Sequence, residues 1–192
     1  MNANNSLQIV LASKSPRRRD ILTKLVHSFR VITADTDESL NENVTVEKRV
    51  QILAERKARA VLPLCDENCV IIGSDTLLEF EGRPLGKPTD DADAKRMLLS
   101  LSGKAHRVHT SVALLYRGKA LVSSDVTTVN MRPYTEDEVD AYIATGDTKD
   151  KAGAYGIQSL GGFLVESVDG ELDTVVGFPS RLFSRMLAEI TK

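Results

Sequence analysis

The chain has 192 residues, 42% hydrophobic and 27% charged, ordinary values for a globular protein long enough to bury a real core. Its 25 basic and 27 acidic residues leave a net charge of −2, and aromatics reach only 5% with no tryptophan, so a general nucleic-acid binder is disfavoured while a small basic pocket is not. The N-terminal MNANNSLQIVLASKS lacks a charged region ahead of a long apolar one, and no apolar run approaches the ~18 residues of a membrane span, so neither signal peptide nor membrane is expected.

In chain order, the apolar run of Leu7, Ile9 and Val10 predicts a strand, and the stretch LASKSPRRRDIL (11–22) predicts a helix start. Ser15 is placed to cap that helix and Pro16 to fill its first turn, where proline's missing N–H leaves no bond unmade. Arg17, Arg18 and Arg19 then stand where the helix already carries partial positive charge, each unfavourable by about 0.3–1 kcal/mol at an exposed end. Either they form a solvated basic turn balanced in part by Asp20, or they are kept for an anion. A strand, a loop of small residues and an arginine-laden helix start together describe a phosphate site.

A second strand is expected at 29–32, then the polar segment ADTDESLNEN with Asp35, Asp37, Glu38 and Glu42. Thr45 can cap the next helix, whose Val46, Val50, Leu53, Ala54, Ala58 and Val61 share one face until Pro63 stops it. Lys57 borders that face, the usual place of a snorkelling lysine. Cys65 and Cys69, in CDENC without a nearby histidine, fit reduced thiols in a cytoplasmic protein better than a metal pair. The run CVIIG (69–73), bounded by turn residues, predicts a buried strand that ends in Ser74, Asp75 and Thr76, with 77–80 extended again. EGRPLGKPTDD is expected as a loop holding Lys87, with Thr89, Asp90 and Asp91 starting a helix and Gly103 just past its end.

Residues 106–117 alternate, with Val108, Thr110, Val112 and Leu114 on one face, and form a hairpin with 120–131 across an Arg117-Gly118-Lys119 turn. His106 and His109, three apart in that strand, point to opposite faces and are expected to be structural. Thr135 and Glu138 make a capping box for a helix to about Thr145. The polar loop GDTKDKAGAYGIQ (146–158), a strand at 162–168, an extended piece to Val176 and a helix after Pro179 complete the chain. This order predicts α/β or α+β architecture with a mixed sheet, in two lobes with a cleft between them.

The ionisable residues cluster in loops and at element ends, where binding chemistry concentrates. Asp75, at the end of an apolar strand, needs a partner if it is buried. It either caps the following turn or serves as a general base or metal ligand. Arg17–Arg19, the Asp35/Asp37/Glu38 group, Asp75 and Lys87, with Lys149 and Lys151 in the late loop, make up the set that phosphoanhydride hydrolysis requires. Cations neutralise the polyphosphate, carboxylates hold a divalent metal, and one carboxylate deprotonates water. GxxxxGK[ST] is absent, which argues against a P-loop enzyme, and without GxSxG neither Ser13 nor Ser15 reads as a nucleophile.

The chain resembles the Maf family of nucleotide pyrophosphatases over nearly its whole length, in LASKSPRR (11–18), ADTDES (34–39), AERKARAV (54–61), IIGSDTLL (71–78), GRPLGKP (82–88), LSGKAHRVHTSVAL (101–114), DKAGAYGIQ (150–158) and VVGFP (175–179). The resemblance implies a single Maf-like domain over 1–192, with a mixed twisted sheet, flanking helices and two lobes around a deep cleft, similar to the inosine triphosphatase fold. It implies a cytoplasmic house-cleaning enzyme, a homodimer, that uses Mg²⁺ or Mn²⁺ to hydrolyse nucleoside triphosphates to the monophosphate and pyrophosphate. Carried over residue by residue, it makes Asp75 the proton acceptor and places Glu38, Lys57 and Lys87 in catalysis, with Glu38 and Asp75 at the metal. It puts Ser13, Arg17, Arg18, Thr76 and Gln158 on the substrate, so that Lys57 is no longer expected merely to snorkel.

The late-loop form DKAGAYGIQ, with Arg17 and Thr76, resembles the subgroup acting on dTTP and UTP. A glutamine amide offers a donor and an acceptor together, matching the O4 acceptor and N3–H donor of uracil or thymine. Arg17, Thr76 and Gln158 are therefore expected to set base choice. Ser74 stands where alanine is common in the family, and Glu79 and ELDTVVG also depart from its pattern. A non-catalytic nucleotide-binding regulator of cell division is the alternative from another class, although Asp75 and Glu38 would add nothing to a pure phosphate-binding module.

Overall fold

The computed structural model describes residues 7–40, 44–149 and 151–192. Glu42, Asp150 and the MNANNS start, named above, lie outside the described residues. The chain opens with β1 (Gln8–Leu11) and α1 (Pro16–Leu25), the helix capped by Ser15 with Pro16 in its first turn as expected. β2 (Arg30–Val31) then pairs parallel to β1. α2 (Val46–Val61) starts at the Thr45 cap and buries all six residues of the predicted stripe. Pro63 falls in a 3₁₀ turn, Leu62–Leu64, that ends it.

β3 (Cys69–Phe80) runs unbroken for 12 residues and pairs parallel to β1. Ser74, Asp75 and Thr76 therefore lie inside a strand, not at its end. Gly73 is the reason. It is no turn residue: a Cβ there would sit 2.0 Å from the Ala54 carbonyl oxygen and 2.8 Å from the Ala58 nitrogen. Only glycine lets the backbone of α2 come this close to the strand.

A short strand, β4 (Arg83–Leu85), pairs antiparallel with β3 inside what composition predicted as loop. Glu81 and Gly82 make the tight turn between them with φ of 50° and 78°, the positive-φ pair that suits strand twist. α3 (Asp91–Leu101) is capped by Asp90, whose side chain accepts from the Asp93 amide. β5 (Ala105–Tyr116) and β6 (Lys119–Met131) form the predicted hairpin, turning at Arg117 and Gly118. Every residue of β5 from Val108 to Leu115 is buried, so this strand is covered on both faces and not on one.

α4 (Glu136–Ala144) carries the full Thr135–Glu138 capping box, and β7 (Val165–Asp169) pairs antiparallel with β6. Residues Leu172–Val176, expected to be extended, form a short helix, α5. Five residues are too few to show a helical period, and their β-branched side chains mimic a strand. α6 (Ser180–Ile190) follows Pro179.

The seven strands make one mixed sheet in the order β2-β1-β3-β5-β6-β7, with β4 added on β3. The chain forms two compact units. The first takes residues up to Thr76, Thr110–Asp125 and Gly177–Lys192, and its core includes Val10, Ala54, Ala58, Ile71, Ala113 and Leu115. The second takes Leu77–His109 and Val126–Val176, around Leu78, Leu98, Leu101, Val129, Tyr142 and Leu164. No helix among the described residues is long and apolar enough to cross a membrane.

Candidate active site

In the first unit four of the expected charges, Lys57, Asp75, Glu38 and Arg18, come together. Gly73 and Asp75, two apart in β3, share a face, and α2 pressed onto Gly73 carries Lys57 to that carboxylate. The Lys57 ammonium lies 2.6 Å from Asp75 Oδ1 and 2.8 Å from Glu38 Oε1, bridging a buried carboxylate and an exposed one. Glu38 is held in place by its loop. Arg56, one residue before Lys57, donates to the carbonyls of Asp37 and Ser39 at 3.0 and 2.9 Å. Asp37 accepts from the Ser39 amide and hydroxyl, bonds that hold its carboxyl below the ordinary range. Asp37 thus shapes the loop while Glu38 pairs with Lys57, and Asp35 is exposed, 3.8 Å from Lys14.

Burial pushes the Asp75 carboxyl above its ordinary value, against the pull of Lys57 and Arg18. That makes it a better proton acceptor than a solvated aspartate. Arg18 reaches in from α1. Its Nε donates to the Gly177 carbonyl at 2.9 Å, and its two terminal nitrogens donate to Ser13 Oγ at 3.3 Å and Thr76 Oγ1 at 3.1 Å. Burial lowers the Arg18 pKa, an effect that Asp75 and Glu38 oppose. Of the other two arginines, Arg17 and Arg19 are both exposed.

Three residues of this site went unmarked in the sequence. Gly177 (φ 118°) brings its carbonyl to Arg18, and a Cβ there would lie 3.2 Å from Thr76 Oγ1. Ser74, fully buried, donates to the same carbonyl at 3.2 Å. The Thr110 and Thr76 hydroxyls are hydrogen-bonded to each other at 3.0 Å. The serine at 74 and the glycine within VVGFP were the available signals.

Lys87 and Gln158 belong to the second unit, both exposed. Their loops are tied together there, because the Gly153 amide donates to the Gly86 carbonyl at 2.9 Å. Asp147 anchors the late loop, accepting from Tyr142 Oη and Ser159 Oγ, each at 2.7 Å, and from Lys151 Nζ at 3.0 Å. Burial opposes it, yet these bonds hold the Asp147 carboxyl below its ordinary value. Lys151 is therefore committed inside its own loop. Glu79, an odd charge on its strand, takes Arg107 at 2.5 Å and faces His109 Nε2 at 2.7 Å, without the geometry of a hydrogen bond to the ring. His106 meets Tyr155 Oη at 2.8 Å, and burial lowers its pKa to about 4, so it is neutral and structural as expected.

Asp75 and Glu38 are a hard-oxygen pair of the kind Mg²⁺ takes together with substrate phosphates. No group of three or more metal-ligating side chains stands among the described residues. A divalent ion held by these two carboxylates would need the rest of its ligands from the substrate's phosphates and water.

A mixed α/β sheet with a raised-pKa aspartate beside a lysine, close to an arginine-rich helix start, defines a class of proteins equipped for anionic, phosphorylated substrates. Within that class, residues 8–190 match the family described as Maf-like protein, and the chain belongs to that family. It is 42% identical over 182 residues to the dTTP/UTP pyrophosphatase of Bacillus velezensis, covering 95% of this chain and 96% of that protein. It is 44% identical over 183 residues to the dTTP/UTP pyrophosphatase of Moorella thermoacetica, covering 94% of each. It is 41% identical over 178 residues to that of Thermococcus kodakarensis, covering 93% and 94%. Among solved structures, the Staphylococcus aureus Ham1 protein aligns over 65% of this chain and 71% of its own, at 17% identity and a TM-score of 0.47.

Proposed function

We propose that the protein hydrolyses dTTP and UTP to the nucleoside monophosphate and pyrophosphate, with Asp75 as the proton acceptor. The observation that carries this is a buried, raised-pKa carboxylate 2.6 Å from Lys57 in a chain whose relatives are named for that reaction. Water attacks the α-phosphorus, its proton passes to Asp75, and the bond to the bridging oxygen breaks to release pyrophosphate. Lys57, Arg17, Arg18 and Lys87 stabilise the charge growing on the leaving group, and Ser13 donates to a phosphate oxygen. Glu38 and Asp75 would hold Mg²⁺ or Mn²⁺, which supplies Lewis-acid polarisation of the phosphoryl oxygens when bound.

Arg17, Thr76 and Gln158 select the base, the Gln158 amide matching the donor and acceptor pattern of uracil or thymine. The reading extends to a cytoplasmic homodimer, in keeping with two free cysteines and checked by sedimentation of the purified protein. The central test is pyrophosphate release from dTTP with Mg²⁺. Asp75→Asn should lower kcat at least a hundredfold, the scale of a lost general base, while the far-UV spectrum stays native. Wild-type turnover in that variant would remove Asp75 from the chemistry.

A further inference from the structure

Gln158 stands in a turn that one carboxylate fastens from both sides. The Ser159 and Gly162 amides close that turn on the Gly156 and Ser159 carbonyls at 3.2 and 3.1 Å. Ser159, the residue after Gln158, brings its Oγ within 2.7 Å of Asp147 Oδ2. Two residues before Gln158, the Gly156 amide donates to Tyr142 Oη at 3.3 Å, and Tyr142 Oη donates to the same carboxylate oxygen at 2.7 Å. The partners set both directions, because an amide nitrogen only donates and an ionised carboxylate only accepts. Lys151 is the third donor, to Asp147 Oδ1 at 3.0 Å and to the Asp147 main-chain carbonyl. Gly156 leaves no slack in this arrangement: a Cβ there would press on Ser159 Oγ and stand 2.6 Å from Lys151 Cε. Tyr142 is buried in α4, so the turn is pinned to a helix while Gln158 itself is exposed.

We infer that Asp147 is a positioning residue: by gathering Tyr142, Ser159 and Lys151 it fixes the 156–159 turn on both sides of Gln158 and so sets where the Gln158 amide stands for the base. An amide reads two groups on a base edge only while its backbone is held to about 0.5 Å. The inference rests on the reading above that Gln158 meets the base, and Asp147 itself touches no substrate. The Lys87 loop is tied by a different bond, from the Gly153 amide to the Gly86 carbonyl, so losing Asp147 acts on base recognition and not on the phosphates.

The test compares kcat and KM for dTTP and dCTP, with Mg²⁺, in the wild type, Asp147→Asn, Gln158→Ala and the double variant. Asp147→Asn turns one acceptor oxygen into an NH2 group that must face a donor, either Lys151 or the Tyr142 and Ser159 hydroxyls. It should raise KM for dTTP about tenfold with kcat within about twofold, as when binding is lost equally from ground and transition states. The ratio of kcat/KM for dTTP to that for dCTP should fall with it. The double variant should discriminate no worse than Gln158→Ala alone, a coupling that a merely structural role would not produce. If Asp147→Asn does not fold, Tyr142→Phe, which removes the hydroxyl between Asp147 and the Gly156 amide, takes its place with the same expected fall. An unchanged ratio in a folded Asp147→Asn protein, or a further fall in the double variant, overturns the inference. Should Gln158→Ala lower the ratio while Asp147→Asn does not, the inference fails and the reading of Gln158 stands. If Gln158→Ala leaves the ratio untouched, Gln158 does not meet the base and both fall.

Discussion

Lys57 serves two carboxylates that differ in kind. Asp75 is buried and its pKa is raised; Glu38, at the rim of the same ammonium, is largely exposed. On the proposed role Asp75 must be ionised to take a proton from water, so activity should be lost as pH falls through its raised pKa, above the ordinary 3.8. Lys57 and Arg18 both work against that rise. Lys57→Met, which removes one of them, should move the acid limb of the kcat/KM profile for dTTP to higher pH as well as lower its plateau. A limb that stays in place would mean that another group titrates there. At this scale the sequence was partly legible. Residue types and motifs marked Asp75, Lys57, Glu38 and Arg18 as chemistry-bearing, but Lys57 taken alone read as a snorkelling lysine. Nothing local distinguishes a lysine that borders an apolar stripe from one that reaches a carboxylate 18 positions along the chain.

The element that positions this group is the contact of α2 with β3, and its condition is the missing side chain at Gly73. A methyl there would overlap the Ala54 carbonyl at 2.0 Å, so helix and strand would have to part. Gly73→Ala should cost about 3 kcal/mol or more in denaturant unfolding, and the protein that still folds should lose turnover as Lys57 is drawn off Asp75. Full stability in that variant would show the contact to be slack. Helix ends were legible in advance, because a cap is a bond between neighbours: Ser15, Thr45 and the Thr135–Glu138 box all behave as read. Gly73 as a strand interior, β4 within a proline-rich loop and α5 in a β-branched run were not. Gly73 owes its place to the α2 backbone, a neighbour distant in sequence, whereas β4 is the short second arm of a tight hairpin and α5 is too short to show a helical period.

At the scale of the whole molecule, a ligand that binds only the native state must raise its melting temperature. For Asp75→Asn, expected to bind without turnover, dTTP with Mg²⁺ at about a hundred times its Kd should add about 2.7 kcal/mol, or roughly 5–10 °C for a chain of this size. Chelating the metal should shrink that shift, because Glu38 and the phosphates would lose the charge between them. A shift indifferent to chelation would separate metal from binding.

What this sequence determined by itself was local or collective: the caps, the six-residue apolar face of α2, the long hairpin, and the ordered motifs that place the chain among Maf-like proteins. Periodicity and capping act within a few residues, so they can be read off a string. The tertiary structure alone decided which charges meet. Arg18 bonds to Gly177 across 159 positions and to Thr76 across 58, and the Thr76 and Thr110 hydroxyls meet across 34. The arginine-rich turn that a sequence can offer only as a basic patch becomes, once β3 and the Gly177 turn close around it, a guanidinium that donates to the Gly177 carbonyl and to the Ser13 and Thr76 hydroxyls. The reason is physical: a hydrogen bond needs its donor and acceptor within about 3.5 Å, and partners this far apart in sequence come together only when the chain folds.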